Sequence, residues 1–176
     1  MKRSQLFAAI FLVLIAAPMV RAEAQPLTDQ QIASIRAGCT TALRGLKQVQ
    51  SAEAASRVNR GQAYERMSRL MSALNSRVAL NKIDKPALIS TTVRIQTEID
   101  QFQSHYIDYA DNMDAALAIN CVDAPVSFYD GLTAVRESRT LIAEDIVQIN
   151  VLYDGYQTAL SELIMTYSQI EKELRR

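Results

Sequence analysis

The chain is expected to be all-α: an elongated antiparallel three-helix bundle with coiled-coil-like heptads. Two observations predict this. Gly (5) and Pro (4) are scarce in 176 residues, whereas all-β folds need many Gly/Pro turns. Apolar residues also recur every three or four positions over stretches much longer than an ordinary helix. A chain of this length can bury a real core as one domain.

Residues 1–24 read as a secretory signal peptide and 25–176 as a single helical-bundle domain. Lys2 and Arg3 form the charged start, Leu6 to Val20 the apolar run, and Ala22-Glu23-Ala24 an A-x-A cleavage site. Cleavage there exports the protein to the periplasm or the extracellular space. The alternative is an uncleaved N-terminal membrane anchor. No later segment approaches ~20 continuous apolar residues, so no transmembrane segment is expected after cleavage. Export also gives meaning to the two cysteines. An oxidising compartment favours pairing Cys39 with Cys121.

The first helix is expected over about 29–80. Its stripe runs Ile32, Ile35, Cys39, Leu43 and Leu46, and resumes in phase at Tyr64, Met67, Met71, Leu74 and Val78. Gly61 lies between, and a break there gives the alternative of a shorter four-helix bundle. The second helix, about 85–120, carries Leu88, Ile95, Ile99, Phe102, Tyr106, Tyr109, Met113 and Ala116. The third, about 124–175, runs from Phe128 to Leu174 at a period of 3.5, with Arg139 as its one polar interruption. Asp84-Lys85-Pro86 and Asp123-Ala124-Pro125 open the last two helices with the same D-x-P punctuation, in which Asp can accept first-turn amide hydrogens.

Short connections at 81–84 and 121–123 make neighbouring helices antiparallel. Residue numbers on the first two helices should then sum to about 164 at each level. That places Cys121 one helical turn from Cys39, close to disulfide distance. Turning at about 122, the third helix should pair with the second at a sum of 243. Both ends then overhang, leaving Ile32 and Ile35 bare at one end and Leu163, Ile164, Tyr167 and Ile170 at the other. These last four are the candidate partner surface, for a protein partner or for self-association as a homo-oligomer.

Charge is partitioned. Residues 30–94 hold 11 Lys+Arg and 3 Asp+Glu, whereas residues 95–171 hold 2 and 13. Opposed helix charges set pairing and direction, as at coiled-coil flanking positions. No aromatic–basic interleaving points to nucleic acid, and none is expected as a partner. Stripe positions 53, 57, 60 and 139 are charged. Glu53, Arg57, Arg60, His105 and Arg139 are therefore expected to form a polar core layer that sets register. The alternative is a small anionic-ligand site on the arginines.

Catalytic motifs are missing. His105 is the only histidine, no G-x-S-x-G turn accompanies it, and no E-x-x-H pair suggests a di-iron centre. Glu144 and Asp145 read as solvated surface. No phosphate-binding glycine loop is present, and neither an enzyme activity, a metal nor a cofactor is expected.

Leu27-Thr28-Asp29-Gln30-Gln31 has the form L-T-x-x-Q and resembles the signature of periplasmic Spy/CpxP-like stress chaperones, which are exported and all-helical. The match spans five residues of 176 without a second copy. Helix capping accounts for it: Thr28 as N-cap, Gln31 closing a capping box, and Leu27 with Ile32 as a hydrophobic staple. The functional expectation is an exported, non-enzymatic binding or scaffolding protein of the cell envelope or extracellular space. An ATP-independent chaperone-like role is the alternative.

Overall fold

The computed structural model describes residues 26–176, so the signal-peptide segment lies outside the described residues. Three helices follow one another: α1 Asp29–Leu80, α2 Pro86–Ala118 and α3 Pro125–Leu174. Among the described residues there is no strand.

Each helix starts and stops for a local reason. At the head of α1, the Gln31 amide donates to Thr28 Oγ1 and the Thr28 amide to Gln31 Oε1 (3.3 and 2.8 Å), a complete capping box. α1 ends in a Schellman turn. The Ile83 amide donates to the Val78 carbonyl and the Lys82 amide to that of Ala79. Lys82 takes the left-handed conformation there (φ 55°), and Ile83 packs back onto the core. Pro86 and Pro125 open α2 and α3 within their first turns, where the missing amide hydrogen costs nothing. The flanking aspartates do not cap. Lys85 and Ala124 are the N-cap residues and neither helix has a side-chain cap, while Asp123 instead accepts from Asn120 Nδ2.

α1 runs unbroken through Gly61, so the four-helix alternative is set aside. Nothing lies within 4 Å of the space a Gly61 Cβ would fill, and no packing demand bends the helix there.

The core is built on spacings of seven. On α2, Leu88, Ile95, Phe102, Tyr109 and Ala116 are buried, with Ile99, Tyr106 and Met113 beside them. On α3 the repeat is Phe128, Val135, Ile142, Ile149, Tyr156 and Leu163. A repeat of seven keeps one seam of each helix facing its neighbour. α1 contributes less; Cys39, Tyr64, Met71 and Val78 are its buried residues. Gly131 of α3 lies against α2: a Cβ there would sit 3.4 Å from Ala116 Cα and Cβ.

The expected α1–α2 register is observed. Gln50 Nε2 donates to Asp114 Oδ1 (2.5 Å), and Ser68 Oγ to Gln96 Oε1 (3.1 Å), both pairs summing to 164. Cys39 and Cys121 form a disulfide with a Cα–Cα distance of 5.6 Å. Phe128, Ile35, Leu43 and Leu132 pack around it.

The α2–α3 register differs from expectation. His105 meets Asp145 and Asn112 meets Ser138, pairs that sum to 250 rather than 243. The 119–124 connection climbs before α3 begins, so the first two turns of α3 project past the end of α2 by about 10 Å. One displacement corrects both expected overhangs. Phe128 now covers Ile35, which is half-buried, and Leu163 comes level with the start of α2, where it is 6% exposed in the same cluster as Leu88.

Candidate functional site: the polar layer and the α3 tail

The expected polar layer forms in part, and it forms at an edge of the core. Glu53 of α1 is its centre. Arg139 Nη2 lies 3.4 Å from Glu53 Oε1, joining α3 to α1. The Tyr106 hydroxyl of α2 donates to the Glu53 backbone carbonyl at 2.6 Å. The Arg57 guanidinium stacks over the Tyr106 ring, 5.4 Å from its centroid. Tyr106 continues an aromatic chain, tilted against Phe102, which meets Tyr64 edge-on, and itself edge-on to Tyr109 on the other side.

Arg57 and Arg139 are solvent-exposed rather than buried, with Arg139 64% exposed at its side chain. Long basic side chains lay their stems on the apolar seam and keep their heads in water, so a charged stripe position need not become a buried charge. Arg60 is half-buried, and no ion pair joins it to another described residue. The arginines thus do not converge on one point: one pairs with a carboxylate, one stacks on a ring.

His105 does not belong to this layer. Its Nδ1 lies 2.8 Å from Asp145 Oδ2, on the α2–α3 seam. Asp145, expected as solvated surface, is 5% exposed. One heptad away on both helices, Asn112 Nδ2 donates to Ser138 Oγ (2.7 Å), and Ser138 donates on to the Ala134 carbonyl. A third polar contact sits further along the core, where the Tyr156 hydroxyl donates to Asn75 Oδ1 (2.9 Å) and Asn75 Nδ2 to Thr92 Oγ1 (2.8 Å). Sequence reasoning missed Ser138, Asp145, Asn112 and Asn75. A signal existed: His105 and Asn112 are seven apart on one helix, and Ser138 and Asp145 are seven apart on the next.

Burial shapes the tyrosines. Loss of water, followed by the charge of Glu53, pushes Tyr106 up to about 12. Burial raises Tyr109 and Tyr156 above the ordinary phenol value and pushes Tyr153 up to about 12. These groups stay neutral at any physiological pH. Among the described residues, no group of three or more His, Cys, Asp or Glu is placed to hold a metal ion.

The tail of α3 is the other candidate. Leu163 leaves the expected partner surface, because α2 covers it. Ile164 (60% exposed), Tyr167 (46%) and Ile170 (46%) stay open to solvent, and Leu174 extends the open face to the helix end. α1 has ended at Leu80 by this level and α2 begins only at Pro86, so neither helix reaches the last turns of α3.

Among the described residues, no helix is long and apolar enough to cross a membrane. No family model, curated protein or solved structure matches the chain.

Proposed function

We propose that this is an exported, non-enzymatic helical protein that binds or scaffolds another protein in the cell envelope or the extracellular space, using the apolar tail of α3. The observation that carries this reading is the open face of Ile164, Tyr167 and Ile170 on a helix that continues past both of its neighbours. An isolated helix end has little reason to keep an apolar stripe in water unless something covers it. The 39–121 disulfide supports export, since such bonds persist in oxidising compartments. That bond pins the α2–α3 connection to α1, which suits a rod that presents its far end.

The anionic-ligand alternative has less support. Two of its three arginines already have partners in Glu53 and the Tyr106 ring. A photo-crosslinking residue at Tyr167, in protein returned to its native envelope fraction, tests the proposal. The expected result is one dominant protein adduct that is lost when Ile170→Glu is added. Crosslinking that yields no adduct, or the same adduct from a crosslinker at exposed Val93, overturns it.

A further inference from the structure

We infer that the depression between α1 and α3 beside the polar layer binds a short alkyl carboxylate, its chain between the helices and its carboxylate held by Arg136, Arg139 and the Tyr109 hydroxyl. The site is separate from the α3 tail and does not depend on it. Of the polar layer it uses Arg139 alone; Arg57 and Arg60 take no part. Three observations lead to it.

The first is the space. Ala42 and Gly45 of α1 face Leu132 and Val135 of α3, with Tyr109 and Met113 of α2 between them, around a depression of about 280 Å³. Its cause lies in the sequence. Ala42 and Gly45 follow one another on a single face of α1, and neither has the bulk to fill the gap to α3. A Cβ on Gly45 would meet nothing within 4 Å. Sites for drug-sized molecules measure roughly 300–1,000 Å³, so this one suits a smaller ligand.

The second is an unpaired donor. Tyr109 is 3% exposed, and its hydroxyl has no hydrogen-bond partner on the described chain. A buried hydroxyl without a partner is costly, and a neutral phenol has a hydrogen to give. Burial raises the Tyr109 phenol, Glu53 adds to the rise and Arg139 opposes it, so both charges act close to that hydroxyl. The Arg139 side chain is 64% exposed and meets Glu53 at 3.4 Å. Its head can turn without a backbone shift and admit an oxygen beside the phenol.

The third is charge. Arg136 and Arg139 both line the depression, and no acidic residue does. The acids nearby are already engaged, Glu53 with Arg139 and Asp114 with Gln50. No ion pair joins Arg136 to another described residue. Apolar walls beside a free guanidinium match a ligand with an apolar body and a carboxylate end, which the guanidinium fork can hold by two hydrogen bonds. A bare inorganic anion would leave the walls uncovered, and a hydrocarbon would leave the phenol unpaired.

Titration of the purified, isotope-labelled oxidised protein with octanoate at pH 7, followed through amide chemical shifts, tests the site. Saturable shifts are expected over 42–49 and 132–139, with a dissociation constant of about 1 mM or tighter. Octanol keeps the chain and lacks the charge, and should bind at least about fivefold more weakly. Arg136→Gln should weaken octanoate at least about fivefold and Tyr109→Phe about threefold. Gly45→Leu should abolish the shifts by filling the space, while melting as a folded protein because its Cβ meets no atom. Octanol binding as tightly as octanoate, or an Arg136→Gln variant that binds like the parent, overturns the carboxylate assignment. Unchanged affinity in Tyr109→Phe overturns the role of the phenol. Shifts that Gly45→Leu leaves intact, or that fall on the α3 tail instead, overturn the location. Absence of any saturable shift up to about 10 mM overturns the site altogether.

Discussion

His105 Nδ1 and Asp145 Oδ2 lie 2.8 Å apart across the α2–α3 seam, and Asn112 and Ser138 meet one heptad further along both helices. Two polar pairs at equal spacing act as register marks. Sliding α3 along α2 by one heptad, to pairs that sum to 243, would set the Asp145 carboxylate, 5% exposed, opposite Glu98 instead of His105. Hydrophobic positions repeated every seven residues cannot by themselves distinguish one heptad alignment from the next. The polar pairs can.

Replacing His105 with Ala should therefore cost about 2–3 kcal/mol, because the buried Asp145 carboxylate loses its partner. The double variant His105→Leu/Asp145→Leu should recover most of that loss, since apolar replacement removes the desolvation cost along with the contact. Urea denaturation midpoints of the two variants check this. A single variant no less stable than the parent would contradict the register role.

Reduction of the 39–121 disulfide should lower stability by about 4 kcal/mol, through the loop entropy returned to the unfolded chain. The bond spans 82 residues and ties the α2–α3 connection to α1. Cys39→Ala/Cys121→Ala should shift the denaturation midpoint like reduction does, with helix content by circular dichroism retained at low denaturant.

Two glycines should respond in opposite directions. Gly61→Ala should stabilise by about 0.5–1 kcal/mol, because the helix is continuous there and a Cβ meets nothing within 4 Å. Gly131→Leu should destabilise by about 1–3 kcal/mol, since its side chain must enter the space beside Ala116 and Ile119. Thermal melts of both variants decide the matter.

Stability should fall as pH rises above 10. Tyr106, Tyr109, Tyr153 and Tyr156 all have folded-state values raised above the ordinary phenol value of about 10 by burial. A raised value means the fold favours the neutral phenol. The stabilisation is complete below the unfolded value near 10 and is lost as pH climbs through the folded values, about 12 for Tyr106 and Tyr153. Tyrosinate absorbance and helical ellipticity, followed together in an alkaline titration, should change in one cooperative step. Phe replacement at Tyr153, whose hydroxyl has no hydrogen-bond partner on the described chain, should move that step to higher pH.

Most of the frame was legible in the residues. The α2 core, Leu88 through Ala116, was readable position by position, because an amphipathic helix writes its buried face as a period. The α1–α2 register and the Cys39–Cys121 pairing were readable too, because the chain reverses directly in the turn that ends α1 at Leu80, without the climb that precedes α3. The polar layer was legible only in part. Charged letters at stripe positions announced Glu53, Arg57 and Arg139, but not that the two arginines would extend into solvent.

The sequence by itself determined three long helices, their order and direction, and which face of each turns inward, since these follow from periodicity, capping and proline placement along one chain. Tertiary structure alone decided how far α3 slides past α2. That displacement buried Leu163, covered Ile35, and joined His105 to Asp145. A repeat of seven reads the same after a shift of seven, so only packing of the 119–124 connection and the meeting of particular polar side chains could choose between alignments.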